Sequence, residues 1–154
     1  MVSFSASSLV LLVLVSLPAV QAQLRVFNMR GSSLPPNILD TADAYVEVYC
    51  GPAYLGKTSV RNNNPNPWWE EEFTHFKAQP GDVLRLEVRD SDYLLDDLLG
   101  TCQRPVKVGT HTHVCFLKKK GTLHYSYTLA GPVRGPGRGL PPSTDTGPPS
   151  AAAL

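Results

Sequence analysis

Alternation is the feature that most limits how this chain can fold. Apolar and polar residues alternate in short runs bounded by glycine, proline, asparagine or aspartate, and the period of an amphipathic helix is hard to find. The runs at 24–30, 44–50, 55–61, 71–77, 83–89, 99–105, 112–117 and 123–129 read as strands. Short strands at this spacing predict an all-β fold, an eight-stranded antiparallel β-sandwich.

The two ends read differently. "SSLVLLVLVSLPAV" is apolar but short for a bilayer span, and "AVQA" ends in small residues suited to cleavage after Ala22, so residues 1–22 read as a secretory signal peptide. That implies a secreted, extracellular protein. From Gly131 to Leu154 the chain holds six prolines and five glycines without hydrophobic period. It cannot bury enough apolar surface to offset chain entropy, so residues 131–154 are expected to form a disordered Pro/Gly-rich tail. Residues 23–130 have the size of one globular domain. A formal net charge of +1 gives no broad basic surface for nucleic acid.

Three cysteines follow the leader, and an oxidising compartment favours pairing. Cys102 and Cys115 are close in sequence and flank a turn region, which makes them the best pair. Cys50 then remains, on a strand face shared with Val46 and Val48. It is either a buried thiol or the site of a disulfide dimer.

Three longer connections stand out: "GSSLPPNILDTAD", "NNNPNPWW" and "DSDYLLDDLL". They follow the first, third and fifth expected strands, and alternate connections of an up-and-down sandwich fall at one end. Asp40 and Asp43 lie in the first, and Asp90, Asp92, Asp96 and Asp97 in the third. Gathered carboxylates repel one another, and a hard cation relieves that repulsion. Ca²⁺ accepts six to eight oxygen ligands in flexible geometry, whereas Mg²⁺ prefers a tight octahedron. Zn²⁺ suits the chain less well, because His75, His111, His113 and His124 lie on expected strands or their ends. His111 and His113 share a strand face, as exposed positions or as a metal-binding pair.

The blocks "TADAYVEVYCG", "GKTSVRNNNPNPWWEEEF", "LRLEVRDSDYLLDDLLGTC" and "HTHVCFLKKKGTLHYSY" together resemble the C2 domain family, most closely perforin-type C2 domains. The second carries an Asn-Pro pair, a tryptophan and an acidic residue before a phenylalanine. The third carries Asp-x-Asp, a further aspartate, two apolar residues and glycine. The resemblance implies that Asp43, Asp90, Asp92 and Asp97 bind calcium, with Asp96 as an added carboxylate. The first ligand of loop one is either Asn37, at the usual spacing, or Asp40 in a rearranged loop. The resemblance also supports the Cys102–Cys115 disulfide, and it implies a topology that begins directly before the first calcium loop.

Tyr93, Leu94 and Leu95 lie between the carboxylate pairs, at the expected tip of the third loop. In the resembling domains such a tip enters the lipid interface once calcium has cancelled the carboxylate charge. Leu34, Ile38 and Leu39 of loop one form a second wedge or pack against neighbouring loops. Trp68 and Trp69 are expected to divide, one indole in the core and one at the surface, and "KKK" at 118–120 reads as a hairpin turn. The resemblance implies a calcium-dependent phospholipid-binding module in a host-defence setting, without a pore-forming domain. A calcium-stabilised protein-binding module is the alternative. No nucleophile–histidine–acid arrangement points to an enzyme.

Overall fold

The computed structural model describes residues 22–37, 41–92 and 95–131. Among them are nine strands: β1 (Ala22–Ser32), β2 (Ala44–Cys50), β3 (Ala53–Lys57), β4 (Trp68–Trp69), β5 (Phe73–Ala78), β6 (Val83–Asp90), β7 (Asp97–Pro105), β8 (Gly109–Phe116) and β9 (Thr122–Leu129). They form two antiparallel sheets. One runs β4-β1-β9-β8, with β5 also paired to β1, and the other runs β3-β2-β6-β7.

The ninth strand comes from a segment expected to be a connection. The end of the connection "NNNPNPWW" pairs with β1 as β4, Trp68 and Trp69 opposite Arg30 and Met29, and the run expected at 71–77 begins later, at Phe73, opposite the first half of β1. Glu70, Glu71 and Glu72 fall in the gap. Glu71 Oε1 accepts the backbone N–H of Ser59 at 2.8 Å and also its hydroxyl, while Glu72 forms a two-pronged ion pair with Arg25. The strand expected at 55–61 also ends early, at Lys57. Thr58 donates its N–H to Val46 and accepts the Val46 N–H on its hydroxyl, which ends the regular ladder.

The core follows the two-residue period. Ala44, Val46, Val48 and Cys50 of β2, with Leu84, Leu86 and Val88 of β6, face Leu24, Val26, Leu123, Tyr125, Tyr127 and Leu129 across the sandwich. Each large side chain fully removed from water contributes roughly 1.5–3 kcal/mol. Trp69 is fully buried and donates its indole N–H to the Ser59 carbonyl at 3.0 Å, while Trp68 is exposed, which is the expected division. Cys102 and Cys115 are bonded, with Cα atoms 6.0 Å apart, joining β7 of one sheet to β8 of the other. Cys50 is 1% exposed, and burial pushes its thiol up to about 11. It is therefore a core residue of the folded domain, the buried thiol of the two expected roles.

The pair His111 and His113 does not stand on an exposed face. Both rings turn inward against Tyr127 and are half-buried, and Val114 and Phe116 take the outward positions of β8. Burial, with the positive charge of Arg104, lowers the His113 pKa.

The three long connections do meet at one end. Leu34 donates its N–H to the Pro65 carbonyl at 2.9 Å, Asn64 to Ala42 at 3.1 Å, and Ser91 to Asp43 at 2.8 Å. The β8–β9 hairpin joins them there, because Lys119 donates to the Leu99 carbonyl at 3.1 Å. Gly121 has φ of +81°, and a Cβ on it would stand 2.6 Å from the Ser33 carbonyl oxygen. Only glycine fits both requirements.

Candidate functional site

Period two carries β6 from the core to the loop end. Leu84, Leu86 and Val88 point inward, and Asp90 is the next residue in that row, 2% exposed. The strand thus delivers a carboxylate to the mouth of the sandwich. Its Oδ1 accepts the Asp43 N–H at 2.8 Å, and its Oδ2 accepts the Asn37 amide at 3.4 Å. Burial raises the Asp90 pKa; the bonds from Asp43 and Asn37 oppose that rise, and the Asp43 and Asp92 carboxylates add to it. A buried carboxylate beside two others is short of positive charge.

Asp43 ties the loops together. Its Oδ1 accepts the Asn63 N–H at 2.6 Å, and its carbonyl accepts that of Ser91. Asn63 has φ of +52°, a left-handed conformation that asparagine tolerates better than most residues. Asp97 opens β7 directly opposite Asp90 in the ladder. Asp92 donates its backbone N–H to Asp96 Oδ1 at 3.4 Å. Asp96 itself is held by the hydroxyl of Tyr45. Tyr45 follows Ala44, the ladder partner of Asp90, so its side chain lies on the opposite face of the sheet from Asp90.

The structure therefore joins Asn37, Asp43 and Asp90 by direct hydrogen bonds and places Asp92 and Asp97 beside them, while Asp96 is bonded to both Asp92 and the Tyr45 hydroxyl. Tyr45 is the residue that sequence reasoning missed; it reads as an ordinary member of the alternating run "AYVEVYC". Burial, then the bond to Asp96, pushes its phenol pKa far up, so it remains a donor. Asp40, Ile38, Leu39, Tyr93 and Leu94 lie outside the described residues. Leu95 is 77% exposed. Leu34 is buried in the core cluster, so of its two expected roles, wedge or packing against neighbouring loops, it takes the second.

Among the described residues no three His, Cys, Asp or Glu side chains are already arranged to hold a metal. The chemistry of the site nevertheless suits a hard cation, because Asp43, Asp92 and Asp97 bring carboxylate oxygens to the neighbourhood of Asp90. The carboxylate nearest the core is also the one most in need of a counter-charge.

Two stacked antiparallel sheets, with acidic groups gathered in the loops at one end, define a β-sandwich module whose candidate binding groups are carried by loops. The C2 domain model matches residues 22–124, and the chain belongs to the C2 domain family. Mouse perforin-1 is 37% identical over 109 residues, as is human perforin-1, covering 69% of this chain and 19% of either relative. The chain thus spans about a fifth of the length of those relatives. A solved structure described as a C2 domain is 60% identical, with a TM-score of 0.70, and covers 71% of this chain and 99% of that one. A calcium-bound structure of a pair of C2 domains from extended synaptotagmin 2 shares the fold at 23% identity, with a TM-score of 0.61, covering 70% of this chain and 45% of that one.

Proposed function

We propose that this chain is a secreted C2 module that binds phospholipid membranes in the presence of calcium. The observation that carries the reading is Asp90, buried where the three loops meet and held at a raised pKa beside Asp43 and Asp92. The residues that would hold calcium are Asp43, Asp90, Asp92, Asp96 and Asp97, with Asn37 or Asp40 from the first loop. When bound, the ion cancels carboxylate charge and offers open coordination positions to lipid phosphate oxygens. The loops do the rest. Asp43 fixes their relative positions through its bonds to Asn63 and Ser91, and Leu95 stands in solvent where it can enter the lipid interface, with Tyr93 and Leu94 as its neighbours in sequence.

A leader at 1–22 and occupation at extracellular calcium levels, roughly 0.1–1 mM, belong to the same reading. The similarity to perforin-1 supports a host-defence setting. Liposome flotation tests the proposal: the protein is expected to float with anionic vesicles when calcium is present and to lose most of that binding in chelator. Equal recovery in both conditions overturns the calcium dependence. Leu95→Ser is expected to weaken the calcium-dependent component by about tenfold, the worth of one large apolar side chain partly buried. Unchanged flotation of that variant would remove Leu95 from the contact.

A further inference from the structure

A second feature lies on the outer face of the five-stranded sheet, beside the loop end. Arg30 of β1 stands directly opposite Trp68 of β4 on one side and His124 of β9 on the other. Directly opposed residues of antiparallel strands share a face, so indole, guanidinium and imidazole form one row. Two hollows, of about 630 and 350 Å³, share these three residues, and no carboxylate lines either one. Among the described residues Arg30 makes no ion pair.

Exposed apolar groups flank the row. Trp68 is 58% exposed at one end, and Val114, opposite His124, is 51% exposed at the other. One step nearer the loops, Phe116 is 83% exposed on the same face and leads into the hairpin that carries Lys118, Lys119 and Lys120, all exposed. That hairpin is seated against Ser33 at the start of the first loop. Basic groups and exposed apolar groups thus lie side by side from the sheet face to the loop end, which suits an interface with lipid phosphates above and apolar chain below.

We propose that this face is a calcium-independent seat for an anionic lipid surface, with Arg30 and His124 on headgroup phosphate, Trp68 and Phe116 at the level of the interface, and the lysine hairpin beside them. It extends the membrane reading but does not depend on the aspartates. The domain then meets the bilayer on its side as well as on its loop tips.

The test uses the full chain in chelator with phosphatidylserine-containing vesicles, phosphatidylcholine vesicles, or inorganic phosphate alone. Binding is expected to the anionic vesicles only, to weaken with salt, and to fall by about fivefold in Arg30→Gln. Lys118, Lys119 and Lys120 all changed to Gln should lower it by roughly a hundredfold. A blue shift of tryptophan emission on those vesicles, absent in Trp68→Phe, supports insertion of the exposed indole. The proposal is overturned if the wild type does not bind anionic vesicles in chelator, if Arg30→Gln binds like the wild type, or if inorganic phosphate alone reproduces the spectral change. Failure of the calcium reading looks different: no gain in binding when calcium is added.

Discussion

The double variant Asp90→Asn/Asp92→Asn is expected to lose calcium-dependent vesicle binding by roughly a hundredfold or more, because ligand charge sets calcium affinity, while remaining folded. The asparagine introduced at position 90 keeps an oxygen for the Asp43 N–H, so the loop end retains that tether. The stability of the calcium-free protein should move in the opposite direction. Because the folded-state pKa of Asp90 is raised, its contribution to stability is present below the ordinary aspartate pKa, near roughly pH 4, and is lost as pH rises through the raised value. At neutral pH in chelator, Asp90→Asn alone should therefore melt higher than the wild type, and the gap should close on acidification. Calcium should reverse the order by stabilising only the wild type. Thermal melts of both proteins, with calcium and with chelator, check each sign; a variant that melts below the wild type in chelator at neutral pH contradicts the account of Asp90.

Removing the Cys102–Cys115 disulfide is the second large effect. The bridge closes a loop with a sequence separation of 13 and joins β7 to β8, edge strands of different sheets with no ladder between them. Loop closure of that length contributes about 3 kcal/mol. Cys102→Ala/Cys115→Ala should thus lower the melting temperature by roughly 10–20 °C. Its consequence for the site follows from β7, which begins at Asp97 and whose Gly100 lies against Leu117 of the lysine hairpin. Scanning calorimetry of the double variant checks the prediction, and an unchanged transition contradicts it.

Much of this architecture is legible because one period governs it. The run "AYVEVYC" gives β2 at Ala44–Cys50, the same bounds in sequence and structure. The row Leu84, Leu86, Val88 continues arithmetically to Asp90, so the alternation that predicts the core also predicts which aspartate is buried. The placement of three loops at one end follows from counting strands. What the pattern hides are side-chain bonds that override it. Thr58 bonds to Val46 and ends β3 before its alternation runs out, and Glu71 and Glu72, bonded to Ser59 and Arg25, leave the strand expected at 71–77 to begin at Phe73. Leu34 reads as a loop residue, yet its hydrogen bond to Pro65 folds it under the loops and into the core. Tyr45 reaches Asp96 from a position that period two marks only as outward-facing. The bonded cysteines were legible from spacing and resemblance together.

Calcium titration by isothermal calorimetry, run with and without phosphatidylserine-containing vesicles, tests the central claim most directly. If Asp90 and its neighbours hold calcium that lipid phosphate then shares, linkage requires the vesicles to tighten calcium binding by the same factor by which calcium tightens vesicle binding. The predicted result is a saturable isotherm that shifts to lower calcium concentration when vesicles are present. No saturable heat, or one isotherm unaffected by vesicles, would contradict the account.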